Sequence, residues 1–197
     1  MHGNYGPNIK TNECDVLIAV GMRFDDRVTG DLNRYAKQAK VIHLEIDPAE
    51  IDKNVKTTVA VLGDVKETLP LLTRLVEKRD HSQWRKEFDE CFEIEKQKVI
   101  QHEFYPTKPG LTMAEVIRRI NEQTNGDAII VTDVGQHQMV ASRYFKYTQK
   151  RSLITSGGLG TMGFGLPAAM GAKIGKPDKQ VICVVGDGGL QMTIQEF

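Results

Sequence analysis

Val181-Ile182-Cys183-Val184-Val185-Gly186-Asp187-Gly188-Gly189 is an unbroken apolar run that ends in a glycine-rich turn around one carboxylate. A run of this length and composition fits a parallel strand buried on both faces, and ligands of such sheets collect at the carboxyl ends of the strands. Asp187 stands at that end. Glycines on either side allow close approach of backbone to phosphate oxygens, and a hard oxygen ligand suits Mg2+, which usually keeps phosphate oxygens and waters as its other ligands. The pattern therefore reads as a grip for a metal-bound diphosphate.

Two more loops upstream have the same character. Thr112 and Glu115 have the spacing of a capping box, with Leu111 and Val116 placed as a hydrophobic staple, so a helix is expected over Met113–Gln123. It leads into an apolar strand, Ala128–Thr132, and then into Asp133-Val134-Gly135-Gln136-His137-Gln138, with a helix reaching about Tyr144. A short strand over Ser152–Thr155, the turn Gly157-Gly158-Leu159-Gly160-Thr161-Met162-Gly163 and a helix over Phe164–Ile174 complete the approach to the last strand. In a parallel sheet the loops at 135–137, 157–163 and 186–189 open on one crevice and can converge on one ligand.

The first part of the chain alternates in the same way. Strands are expected over Asp15–Val20, Val41–Ile46 and Thr58–Leu62, and helices over Asp31–Ala39 and Val65–Lys78. Between Asp80 and Gln101 the sequence is strongly charged, with Trp84, Phe88, Phe92 and Val99 at near-helical spacing, as for a surface helix at a domain boundary. Pro106, Pro109 and Gly110 then break the chain. The expected fold is α/β with two parallel-sheet units: residues 1–79, a linker with a charged helix at 80–110, and residues 111–197.

Composition excludes several classes. Lys plus Arg and Asp plus Glu are both 26, so the chain lacks the electrostatic footprint of a nucleic-acid or membrane-surface protein. Cys14, Cys91 and Cys183 are far apart and two sit in apolar runs, which fits neither a disulfide framework nor a zinc site and suits a reducing cytoplasm. No stretch has the apolar length of a membrane span, and the first residues lack the pattern of a signal peptide.

Gly158-Leu159-Gly160-Thr161-Met162-Gly163 is also literally G-x-G-x-x-G between a strand and a helix, with Asp187 ending the next strand. A nicotinamide-dinucleotide site is the rival reading, and spacing alone leaves the two about even. Simpler roles exist for single residues. His137 could cap its helix, Asp64 could cap the helix after it, and Met162 could be plain core. Arg23, Asp25, Asp26 and Arg27 could form a solvated loop network, and His43 reads as a buried structural histidine.

Taken together, Asp133–Met139, Ser156–Ala169 and Gly186-Asp187-Gly188 closely resemble the thiamine-diphosphate domain of the acetolactate (acetohydroxyacid) synthase catalytic subunits. Gly21-Met22-Arg23-Phe24-Asp25-Asp26-Arg27-Val28-Thr29-Gly30 is similar to that family's FAD-domain signature, and Met1-His2-Gly3 to an internal segment of it. By this resemblance the first unit is part of a central FAD-type domain and the second is the first half of a thiamine-diphosphate-binding domain.

The resemblance implies that Gln136 and His137 contact the diphosphate and that Gly160, Thr161 and Met162 line the cofactor, Met162 as its apolar wedge. Asp187 would ligate Mg2+, with Gly188 and Gly189 giving backbone contacts. Met1, His2, Gly21, Arg23, Asp25, Glu45, Ile46, Asp64 and Val65 match positions that meet FAD, and Asp26 and Arg27 match residues near the substrate channel. Glu45 stands where Asp is common, and Gly189 where Ser is common. The implied activity is decarboxylation of pyruvate and condensation of its two-carbon unit with a second 2-oxoacid, pyruvate or 2-oxobutyrate. This is a step towards isoleucine and valine, catalysed by a homo-oligomer with a regulatory small subunit. The family's activating Glu and its Asn ligand to Mg2+ correspond to nothing in these residues. The chain is therefore expected to be an internal fragment, inactive alone, with no catalytic residue assigned. Another thiamine-diphosphate-dependent oxidase, decarboxylase or carboligase, or a noncatalytic nucleotide-binding piece, are the alternatives.

Overall fold

The computed structural model describes residues 3–197. Met1 and His2, two of the positions expected to meet FAD, lie outside the described residues. The chain forms two compact units, one ending at Glu95 and the other running from Lys96 to Phe197. Each holds a three-stranded parallel sheet, so the fold is α/β as expected.

In the first unit the order is α1 (Tyr5–Thr11), β1 (Val16–Val20), α2 (Asp26–Thr29), β2 (Lys40–Glu45), β3 (Val59–Leu62), α3 (Val65–Leu75) and α4 (Ser82–Glu95). The sheet runs β1-β2-β3, with Val20 opposite Leu44 and Glu45 opposite Leu62. The β-branched residues of these strands suit a pleated surface packed by neighbours. Ala19, Phe24, Tyr35, Ala36 and Val41 form one core cluster. His43 is fully buried, as expected, with Phe24 edge-on at 5.1 Å.

The helix expected over Asp31–Ala39 does not form; the segment is a series of turns. The Ala36 N–H, which a helix would turn back on its own backbone, donates instead to Asn12 Oδ1 at 2.9 Å. Ala36 itself takes φ of +43°, a left-handed conformation that ends any helix. α3 ends three residues before the expected Lys78. The charged segment does become α4, and its apolar stripe packs on α1. Trp84 and Phe88 meet edge to face at 5.6 Å, Lys10 Nζ lies 5.1 Å from the Trp84 ring, and the same ammonium reaches Glu13 and Glu87 at 2.6 and 2.7 Å.

A π-helical turn, Lys96–Ile100, opens the second unit. It is followed by α5 (Gln101–Phe104), α6 (Met113–Thr124), β4 (Ala128–Thr132), α7 (Gln136–Tyr144), β5 (Leu153–Thr155), α8 (Gly165–Gly175), β6 (Gln180–Val184) and α9 (Asp187–Met192). Thr112 caps α6, its Oγ1 accepting the Glu115 N–H at 3.0 Å. The Glu115 carboxylate pairs with Arg119 at 2.6 Å. The sheet order is β5-β4-β6. One expectation is corrected here: β6, the run that points to a strand buried on both faces, is a half-buried edge strand, and the sealed central position belongs to β4. Ile130 and Val131 of β4 have no exposed surface, and Ala114, Ile117, Ala128, Ala141, Tyr144 and Phe145 pack around Ile130. Among the described residues no helix is long and apolar enough to cross a membrane.

Candidate functional site

All three strands of the second sheet are parallel, and each hands the chain to a glycine-bearing loop at the same edge. The loops touch. His137, in the first turn of α7, has its ring wedged between two of them. A Cβ on Gly135 would lie 2.9 Å from His137 Cε1, and one on Gly186 would lie 3.2 Å from it. Gly188 faces Met162, whose Cε is 3.4 Å from where a Cβ would stand, and Gly163 faces Met192 at 3.2 Å. Gln136, His137, Met162, Asp187, Gly188 and Gly189 are thus brought to one rim. Gly160 and Thr161 are on its exposed outer part.

Asp133, the first residue after β4, is the group around which this rim is built. It is fully buried, Oδ2 accepts the Gly163 N–H at 3.2 Å, and Oδ1 accepts the Gly165 N–H at 3.1 Å. Behind it, the Thr132 and Gln138 side chains both donate to Thr155 Oγ1, at 2.9 and 2.8 Å, tying the ends of β4 and β5 to α7. Asp133, Gln138 and Thr155 have no role assigned to them from the sequence. Asp133 closing an apolar strand was the available signal, because a carboxylate there must find donors.

The glycine turn also bears on the dinucleotide alternative. That site needs outward-facing amides at the head of its helix. Here the Gly160 N–H donates to Ser156 O at 3.0 Å, the Thr161 N–H to Ser156 Oγ at 3.1 Å, and the Gly163 and Gly165 amides to Asp133. Three amides of the motif, and that of Gly165 just after it, are turned inward, which disfavours a pyrophosphate on this loop. α7 is different: Gly135 precedes it with φ of +151° and no side chain caps its first turn, so its amino end is open to an anion. His137 does not act as that cap.

Two observations test the rim against a metal-bound diphosphate. His137 Nε2 is buried with no hydrogen-bond partner, so a polar group is provided for and not used by the protein. Asp187 is exposed at the start of α9, and no group of three or more His, Cys, Asp or Glu side chains among the described residues could hold a metal alone. A single exposed carboxylate fits an ion that takes its remaining ligands from phosphate and water. On these grounds the residues fit the group.

The first sheet carries its own set at the corresponding edge. The Gly21 N–H donates to Leu44 O at 2.9 Å and the Gly63 N–H to Glu45 O at 2.9 Å, so Gly21, Glu45, Ile46, Asp64 and Val65 lie along one rim. Arg23 Nε meets Asp25 Oδ2 at 3.1 Å, and Asp25 Oδ1 caps α2 through the Arg27 N–H at 3.0 Å. Asp26 and Arg27 are exposed and help line a cleft of about 730 Å³ with Leu17, Met22, Gly30 and Tyr35. Glu45 is turned inward, its Oε1 accepting the Ile46 and Asp47 N–H groups at 2.8 and 3.2 Å. Asp64 caps α3 through the Lys66 N–H at 2.8 Å, so its simpler role is realised.

Comparison with known proteins finds matches in both units. Residues 1–72 match the family model described as thiamine pyrophosphate enzyme, central domain, and residues 133–197 match thiamine pyrophosphate enzyme, C-terminal TPP binding domain. Over its whole length the chain is 48% identical to the acetolactate synthase large subunit of Lactococcus lactis, covering 34% of that protein. It is 45% identical to the probable acetolactate synthase large subunit of Methanocaldococcus jannaschii, covering 34%, and 45% identical to the chloroplastic acetolactate synthase 1 of Nicotiana tabacum, covering 30%. The chain therefore spans about a third of the length of these curated relatives. With both units matched in order and 48% identity to a relative across its whole length, the chain carries parts of the central and C-terminal domains of thiamine pyrophosphate enzymes and is a homologue of the acetolactate synthase large subunits.

Proposed function

We propose that the second unit is the diphosphate-holding half of a thiamine-diphosphate site in an acetolactate synthase, and that the first unit is the flank that meets FAD. The observation that carries this is the closure of three loops on one sheet edge around His137 and Met162, with Asp187 at its mouth. When bound, thiamine diphosphate supplies the electron sink for decarboxylating a 2-oxoacid, here pyruvate, before transfer of the two-carbon unit to a second pyruvate or to 2-oxobutyrate. The chain's own residues bind and orient. Asp187 would ligate Mg2+, Gln136 and His137 would meet the diphosphate at the open end of α7, and Met162 would press on the cofactor from the apolar side. Gly160, Thr161, Gly188 and Gly189 keep the rim low enough for close approach. On the first sheet, Gly21, Arg23, Asp25, Ile46 and Val65 would line the FAD, with Asp26 and Arg27 towards the substrate. Glu45 and Asp64 would contribute mainly by shaping their own turns. The whole enzyme would work as an oligomer with a small subunit in a reducing cytoplasm, a setting supported by three free cysteines.

Titration of the chain with thiamine diphosphate, with and without Mg2+, tests the second-unit assignment. Saturable binding that disappears on chelation is expected, with Asp187→Asn weakening it about tenfold or more. Binding indifferent to chelation and to Asp187→Asn would refute the metal grip, and chelation-resistant NAD binding would favour the dinucleotide alternative.

A further inference from the structure

Asp133, at the root of the first loop, contacts the other two loops of the rim. Its carboxylate is sealed from water, an expensive placement unless donors meet it, and both donors are main-chain amides of the glycine turn that follows β5. The third loop reaches the same carboxylate from another side. A Cβ on Gly189 would lie 1.7 Å from Asp133 Oδ2 and 2.8 Å from Cγ, a distance no side chain could occupy without pushing the carboxylate away. Gly165 is constrained to a lesser degree, its Cβ position lying 3.1 Å from Asp133 Cβ and N. Oδ2 is therefore held between the Gly163 amide and the Gly189 backbone. What these contacts place is Met162, one residue before Gly163, and Asp187, two residues before Gly189.

We propose that Asp133 is the positioning residue of the rim. Its buried carboxylate ties the 156–165 turn to the end of β4 and sets the start of α9 against it, so that Met162 and Asp187 face one ligand. It acts through those residues and does not itself reach the cofactor. The consequence for binding rests on the thiamine-diphosphate reading given above; the tie between the loops rests on contacts within the chain alone.

Asp133→Asn tests this, because it keeps the shape but offers one acceptor oxygen where two amides donate. In the ligand-free chain, hydrogen exchange at the Gly163 and Gly165 amides is expected to speed up about tenfold, with the β4 and β6 amides unchanged. Affinity for magnesium thiamine diphosphate is expected to fall about tenfold. Gly189→Ala, which leaves Asp133 in place and displaces Oδ2, is expected to expose the Gly163 amide more than the Gly165 amide. It carries the test should the Asn variant not fold. Unchanged exchange at both amides in Asp133→Asn, or a loss spread equally over the whole sheet, would overturn the proposal, as would wild-type affinity in a variant whose turn has loosened. If the unaltered chain fails to bind the cofactor, the functional assignment falls, and the loop tie is still decided by exchange.

Discussion

At the scale of single residues, the chain places polar groups where burial gives them a definite job. Tyr147 is an example away from the rim. Its half-buried phenol donates to Ala141 O at 3.2 Å, and burial pushes its pKa up to about 12 from the ordinary value of 10.0. The folded state thus holds the proton more tightly than the unfolded chain. The associated stability is complete below the unfolded value and lost as pH rises from about 10 through about 12. Alkaline unfolding followed by tyrosinate absorbance should show that loss, and Tyr147→Phe should remove its share of it. An identical alkaline profile for Tyr147→Phe would contradict the assignment. At the candidate site, Asp187 and the glycines around it are legible from residue type alone, because few other roles explain a carboxylate framed by glycines at a strand end. Asp133 is not, because its importance depends on which amides the fold turns towards it.

At the scale of elements, local signals held where the chain supplies its own partner. Thr112 is one case: its hydroxyl caps α6 through Glu115 and also donates to the Glu103 carbonyl, anchoring the preceding turn. Thr112→Ala is expected to cost about 1–2 kcal/mol, measured by denaturant unfolding, and an unchanged midpoint would show that the cap is dispensable. Local signals failed where a distant group intervened. The segment after Asp31 has helical periodicity, and Asn12 takes the one amide a helix would need at Ala36. Strand existence was readable for all six strands of the described residues, whereas rank within a sheet was not. β6 is more continuously apolar than β4, yet β4 has a neighbour on each side and β6 on one.

At the scale of the molecule, each unit has its own sheet and its own buried centre. Leu44 and Ile130 are both without exposed surface in the central strands β2 and β4. Leu44→Ala and Ile130→Ala are each expected to cost about 3 kcal/mol. Peptide-resolved hydrogen exchange should register the first in β1–β3 and the second in β4–β6. A substitution that leaves its own sheet's exchange unchanged would mean that the strand is not the centre of that core. The two edges that carry the candidate sites follow from this arrangement, since parallel strands deliver all their outgoing loops to one side.

The amino-acid order alone determined that this is an α/β chain with two parallel units, that three glycine loops open at one sheet edge, and that the chain is akin to the acetolactate synthases. Those properties are local, written in periodicity, turn chemistry and motif wording. The tertiary structure decided which strand is central, which amides of the glycine turn are consumed, that Glu45 faces inward, and that His137 keeps a buried nitrogen free. The site's own case is Asp133, which meets the Gly163 and Gly165 amides 30 and 32 residues away, and no short-range pattern records such meetings.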